Sequence, residues 1–331
     1  MAIARWQEYA LLNAHPTARP EGARPVSSAP DVCTQLRSTR RGSGMASSPV
    51  LSRRTLGSEL RRLREAAGIP VSRAAEELDC SVSKISRIET GLSTPRRPEI
   101  DTLLRLYSAL DARDELIALA GEGKQAAWYD SYGDLLAPGS ALHRFIGLEA
   151  GASALRQYSP GAVPGLLQTE RYARAVITAS QPTVSGEALE TMIRLRMERK
   201  NVLRREPDPL RVAALVDEAV LRRPAHGPGV MREQVEHLCR IVEDESSSIE
   251  LRVLPFSVGL HGLLGGGFQI LSFDNGESDV IFFEGQDGGG LQEKPDVVRA
   301  HSDRLDTAWK QALEGRELLS FLREVADTYD E

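Results

Sequence analysis

The run SVSKISRIETGLSTPRR at residues 81–97 gathers hydroxyl and cationic side chains around two isoleucines spaced three apart. On a helix, Ile85 and Ile88 share one face, which leaves Val82, Ser83, Ser86 and Arg87 on the opposite one and Lys84 at its edge. Such a surface suits base edges. A guanidinium such as that of Arg87 can pair bidentately with guanine, for about 1–3 kcal/mol of discrimination, and a branched methyl such as that of Val82 can meet a thymine methyl. Ser81, Lys84, Thr90, Arg96 and Arg97 fall at the helix edge, at its ends and in the loop beyond, where hydroxyls and cations reach phosphates and set affinity and register.

These residues need a scaffold, and the flanking sequence supplies the pattern of one. Leu56, Leu60, Leu63 and Ala67 recur at helical spacing up to Gly68, and Ala74, Ala75 and Leu78 mark the inner face of a short second helix. Asp79 and Cys80 make a turn, Ser81 is placed as an N-cap, and Gly91 closes the third helix. Ile100, Leu103, Leu104, Tyr107 and Leu110 predict a fourth amphipathic helix, with a fifth over 113–120. The expectation is an all-α helix-turn-helix domain over residues 53–120. Taken alone, the serine-rich face also suits a solvated helix in an ordinary bundle; the ordered set of helices, turn and cap is what favours a DNA reader.

Through AAEELDCSVSKISRIETG and the upstream RRLREAAG, the segment resembles the XRE-type (Cro and phage repressor-like) helix-turn-helix family, and so a lambda repressor-like fold. The resemblance implies that Arg64 pairs with Glu89, bracing the first helix against the third and helping to approach a phosphate. Valued as a surface ion pair, this contact contributes little stability. Where the family commonly has Thr or Ser followed by Gln at the start of helix two, this sequence has Pro70 and Val71, so a phosphate-binding amide is absent and Arg73, Arg96 and Arg97 are expected to carry more of the backbone contact.

The 331 residues carry 41 Lys+Arg against 47 Asp+Glu, but residues 1–110 hold 17 basic against 11 acidic and the remainder 24 against 36. A basic front and an acidic body fit one nucleic-acid-facing end. Residues 1–52, rich in Ala, Pro, Ser, Gly and Arg, predict a disordered tail; its six arginines in residues 1–50 also permit a basic arm on DNA, and Met45 offers an alternative translation start. No apolar run reaches membrane-spanning length, no secretory signal is recognisable, and Cys33, Cys80 and Cys239 show neither disulfide nor zinc spacing. A cytoplasmic protein without membrane attachment is expected.

Residues 124–327 predict an α+β domain, with helices near 142–158, 168–180, 186–205, 228–244, 295–314 and 315–327 and strands at RVAALVD, IELRVLPF, FQILSF and DVIFFE. His261, Asp217 and Glu284, at a Gly-rich loop and two strand ends, outline a possible ligand loop, although anchoring and capping is the simpler reading. No P-loop, dinucleotide fingerprint, nucleophile elbow or metal-ligand spacing is present, so no cofactor, no metal and no enzymatic activity are expected. The basic run IRLRMERKNVLRRE could touch DNA or a partner, but Glu198 and Glu206 favour a solvated helical face, and Met231, Val235, Leu238 and Val242 suit either a dimer seam or a core-facing helix.

The stretches FIGLEAGASALRQYSPGAVPGLLQTERYARAVI, ALVDEAVLRRP, VLPFSVGLHG and LQEKPDVV resemble the uncharacterised C-terminal domain of actinobacterial XRE-type regulators of the WhiJ-like, antitoxin-like group. That resemblance implies transcriptional control, often with a small acidic partner protein encoded nearby. Double-stranded DNA and a second copy of the chain are the other expected partners. An antitoxin-like module that neutralises a small protein and autoregulates its operon is the alternative.

Overall fold

The computed structural model describes residues 48–285 and 289–329; residues 1–47, with the expected arginine arm and the start at Met45, lie outside them. Pro49, whose missing N–H is harmless in a first turn, opens α1 (Pro49–Ala66). The helix therefore starts inside the stretch expected to be tail. The reason is burial: Val50 and Leu51 enter the core of the C-terminal body, while Leu56 and Leu60, farther along the same helix, belong to the core of the helical domain. Gly147 permits the first contact, since a Cβ there would lie 2.4 Å from Val50 Cγ2, and the Ser48 hydroxyl donates to the Gly147 carbonyl.

The rest of the helical domain follows as α2 (Val71–Glu77), α3 (Val82–Glu89), α4 (Arg97–Leu106) and, after a 3-10 turn at Leu110–Ala112, α5 (Arg113–Glu122). Ala74, Ala75, Ile85, Ile88, Ile100, Leu103, Leu104 and Tyr107 pack with Leu56 and Leu60 in one apolar core, as their spacing predicts. Leu110 departs from expectation. It sits in the 3-10 turn rather than on α4 and is 52% exposed.

The body is α+β, built on a six-stranded mixed sheet: β1 (Ala154–Ser159), β2 (Arg211–Asp217), β3 (Ile249–Leu254), β4 (Phe268–Ser272), β5 (Val280–Phe283) and β6 (Gly290–Gln292), in the order β3-β2-β1-β4-β5-β6. β1, β2 and β3 are parallel, in a register that sets Leu155 beside Val212 and Val212 beside Ile249; β4, β5 and β6 add on antiparallel. Four strands coincide with the expected runs. The central strand β1 does not: ALRQYS was expected as the end of a helix over 142–158, which instead stops at Gly151. β1 is buried along its whole length although it carries Arg156 and Gln157: Asp306 pairs with Arg156, and Gln157 is covered without a hydrogen-bond acceptor for its Nε2 among the described residues.

One face of the sheet, with Leu155, Val212, Leu251 and Leu271, is covered by α6 (Ala141–Gly151), α7 (Glu170–Ser180), α8 (Gly186–Arg199), α9 (Glu218–Arg222), α10 (Val230–Glu243) and α12 (Gly315–Asp327). Met231, Val235 and Leu238 of α10 are buried in this core, which resolves their reading as core-facing rather than a dimer seam. The other face packs on α11 (Pro295–Trp309), where His301 stands edge-on to Phe268 and Phe283 and Asp306 pairs with Arg156. No helix among the described residues is long and apolar enough to cross a membrane.

Candidate nucleic-acid interface

α3 owes its start to Ser81, whose hydroxyl accepts from the Lys84 amide at 3.2 Å, and its seat to Ile85 and Ile88, each 1% exposed. A glycine fixes how close it lies to α1. A Cβ on Gly57 would fall 2.4 Å from the Ile88 carbonyl oxygen, so only glycine lets the two helices meet at this depth. With the isoleucines inward, Val82, Ser83, Ser86 and Arg87 all face solvent, Val82 at 49% exposure. Arg87 makes no side-chain hydrogen bond or ion pair with another described residue. Ser81, Ser83, Lys84, Arg87 and Ser93 line an open concavity of about 330 Å³.

The residues expected to meet phosphates stand in different settings. Arg96 and Arg97 are exposed at the start of α4. Glu99 accepts the Arg96 amide at 2.7 Å and pairs with Lys84; burial opposes its charge, but these two donors hold its carboxyl below the usual range. Arg73 is exposed and engaged by Glu77 at 2.9 Å and Glu76 at 3.4 Å, both pairs that water and a competing phosphate can open. Thr90 returns its hydroxyl to the Ser86 carbonyl at 2.8 Å.

Arg64 is placed differently from expectation. It does pair with Glu89, through Nε to Oε1 at 2.6 Å and Nη2 to Oε2 at 2.9 Å, and Nη1 donates to the Ile69 carbonyl at 3.0 Å. The two side chains are only 7% and 8% exposed, however, so this is a buried brace and not a surface ion pair. Three of its five N–H donors are spent inside, so Arg64 serves first as a brace. Beside the pair, burial first and the Glu89 charge second push the Tyr107 hydroxyl up to about 12.

In the body, the expected ligand loop is brought together only in part. His261 Nε2 lies 3.9 Å from Asp217 Oδ2, which also accepts from the Tyr158 hydroxyl at 3.1 Å, and His261 Nδ1 accepts from the Leu263 amide at 3.2 Å. Asp217 Oδ1 caps α9 through the Ala219 amide at 2.9 Å. Glu284 is bonded elsewhere, accepting from Gln269 at 2.9 Å on the opposite, helix-rich face of the sheet. No group of three or more His, Cys, Asp or Glu among the described residues could hold a metal ion.

Two sets of residues were not legible as functional. Arg54, 6% exposed, reaches from α1 to the Ser278 carbonyl at 2.7 Å, stacks over Phe273 at 5.2 Å and faces Glu277 and Glu293 at 3.5 and 3.4 Å. The neighbouring Thr55 and Ser58 bond Asn275 and Glu277, both at 3.1 Å, so residues 273–279 between β4 and β5 grip the helix on which α3 rests. The second set, Arg196 and Arg199 of the basic run, faces inward rather than outward: Arg199 is bidentate to the buried Glu149 at 2.9 and 2.8 Å, and Arg196 donates to Gln168 at 3.0 Å. Neither set has a motif of its own; only burial in the fold identifies it.

Comparison with known protein families matches residues 55–116 to a helix-turn-helix domain and residues 142–324 to a domain of unknown function, DUF5753. No curated protein and no solved structure matches the chain. The second match spans more than half of the chain and contains nearly all of the sheet-bearing body. The chain thus belongs to the DUF5753 family, as a DNA-binding helix-turn-helix regulator whose C-terminal domain is uncharacterised.

Proposed function

We propose that the chain is a sequence-specific transcriptional regulator of the XRE type, cytoplasmic and without catalytic activity, whose C-terminal domain receives a partner or ligand and adjusts DNA binding. The observation that carries this reading is the solvent-facing side of α3, where Arg87 has no partner among the described residues while the opposite side is clamped by Ile85, Ile88 and the buried Arg64–Glu89 pair. Val82, Ser83, Ser86 and Arg87 read bases. Ser81, Lys84, Thr90, Arg96, Arg97 and, after leaving its glutamates, Arg73 contact phosphates. Two copies of the chain on a pseudo-palindrome would place two such helices in successive major grooves about 34–36 Å apart.

The test is fluorescence anisotropy of the full chain on DNA from its own upstream region and on a scrambled duplex, at two salt concentrations. Preference for the upstream duplex, with affinity falling as salt rises, is the expected result. Equal affinity for the two duplexes would remove the claim of sequence reading.

One observation favours a second reading, in which the body is an antitoxin-like module of the WhiJ-like kind that neutralises a small acidic protein encoded nearby. Phe256, Leu260 and Leu264, 59%, 89% and 65% exposed, stand on the single loop between β3 and β4, an apolar display that a solvated loop does not need. Co-expression with the neighbouring small protein should then yield a stable complex that Leu260→Asp disrupts.

A further inference from the structure

The C-terminal end of β1 is where chain connections part. β1 leads through α7 and α8 to β2 on one side, whereas its other neighbour, β4, arrives from β3 through the loop at 255–267. In open sheets built on parallel strands, the crevice at such a point is the usual ligand position. Here it is walled by charge. Arg196 and Arg199, one turn apart on α8, both lie within reach of the charges of Glu149 and of Glu284 at the end of β5, and the buried Glu149, at 1% exposure, is bonded to one of them.

The remaining donors are under-used. Arg199 spends Nε and Nη2 on Glu149, and its Nη1 lies beside Gly165, in the loop that leaves β1. On the sheet side, Gln157 of β1 is 2% exposed, and its Nε2 has no hydrogen-bond partner among the described residues. Its register partner Gln269 donates to Glu284, an exposed residue at the mouth. Burial, reinforced by the charge of Arg199 next to it, lowers Arg196 to about 10, with Glu284 and Glu149 only partly offsetting the effect. Glu149 and the exposed Glu284 match the two arginines in charge, but Gln157 Nε2 and part of each guanidinium have no acceptor among the described residues, and an unpaired buried donor is costly.

We propose that this crevice binds the anionic group, a carboxylate or a phosphate, of a small metabolite, with Arg196, the free Nη1 of Arg199 and the amide of Gln157 as donors. Glu284 holds the place of the ligand in its absence: its carboxylate faces the two arginines from the mouth and yields to the incoming anion. Because Glu284 follows β5, and residues 273–279 at the other end of the β4–β5 hairpin grip Arg54, the displaced residue belongs to the element that touches the DNA-reading domain. The inference rests on the C-terminal domain being the one that receives a ligand.

The experiment measures thermal unfolding of the full chain in sodium phosphate, sodium succinate and sodium chloride at equal ionic strength and pH, followed by titration calorimetry with whichever anion raises the midpoint. The expected result is a rise with phosphate or succinate beyond that in chloride; which of the two acts identifies the anionic group. Arg196→Gln should weaken binding roughly tenfold or more, and Glu284→Gln, which removes the competing carboxylate, should tighten it. Opposite signs from two substitutions in one crevice are not expected of nonspecific screening. Arg196→Lys, which keeps the charge, replaces Arg196→Gln if the latter does not fold, and should bind more weakly than the parent. No rise beyond chloride, or a rise unchanged in the folded Arg196 variant, overturns the proposal. Such a failure with upstream DNA still bound selectively leaves the regulator reading intact, whereas loss of DNA selectivity with anion binding retained counts against that reading alone.

Discussion

Removing Glu89 offers a demanding check of how α3 is held. In Glu89→Ala the Arg64 guanidinium, 7% exposed, keeps its bond to the Ile69 carbonyl but loses two charge-assisted bonds at 2.6 and 2.9 Å and its buried counter-charge. A surface pair would cost less than about 1 kcal/mol to break, but a buried charge left without its partner costs about 3–5 kcal/mol. With a urea slope of roughly 3 kcal/mol per molar, a loss of that size lowers the unfolding midpoint by about 1–2 M. Replacing both partners, Arg64→Met with Glu89→Leu, removes the charges together and should restore stability to within about 1 kcal/mol of the parent. Urea unfolding of the full chain followed by circular dichroism measures all three proteins. A cost under about 1 kcal/mol for Glu89→Ala, or a double variant no more stable than the single one, would mean that the brace is open to water.

Arg87→Ala should narrow the gap between operator and scrambled DNA by about 1–3 kcal/mol, whereas Arg96→Ala should weaken both duplexes alike and reduce the salt slope by about one; anisotropy titrations in a salt series separate the two. Gly57→Ala forces a methyl to within 2.4 Å of the Ile88 carbonyl oxygen, so thermal unfolding should register a loss of about 1–3 kcal/mol, with weaker DNA binding as α3 is pushed off its seat. His237 supplies a pH test. Burial, followed by the charges of Lys200 and Arg240, lowers its folded pKa from 6.5 to about 4. The folded state thus refuses a proton that the unfolded chain accepts, and this contribution to stability, complete above pH 6.5, is lost as pH falls toward 4. His237→Gln should flatten that acid limb in urea melts taken across pH 4–7; an unchanged limb would show that His237 is open to water.

What was legible in the sequence was local. The Ile85–Ile88 pair, the Ser81 cap and the stops at Gly68 and Gly91 are each decided by neighbours within a turn or two, and spacing alone placed them. Four strands announced themselves because apolar residues dominate them, in continuous or alternating runs. β1 did not, since Arg156 and Gln157 are unlike the interior of a central strand until Asp306 and the helix-rich face are in place. The same limit hid the Arg64–Glu89 burial, the inward turn of Arg196 and Arg199, and Val50 and Leu51 within a serine-rich stretch. A charge run in one dimension carries no sign of which side faces a carboxylate 50 residues away.

Helix α1 makes one further demand. Its first turns are part of the body and its last turns part of the reading domain, with no tether between the two. A reader on a tether can swing to accommodate an altered spacing between half-sites; a reader on a shared strut cannot. In a symmetric pair, the distance between the two copies of α3 is then fixed by how the bodies meet. One inserted base pair moves a half-site along the DNA and rotates it around the axis, and the strut would have to bend to follow. In such a pair, spacing between half-sites would count alongside the bases within them.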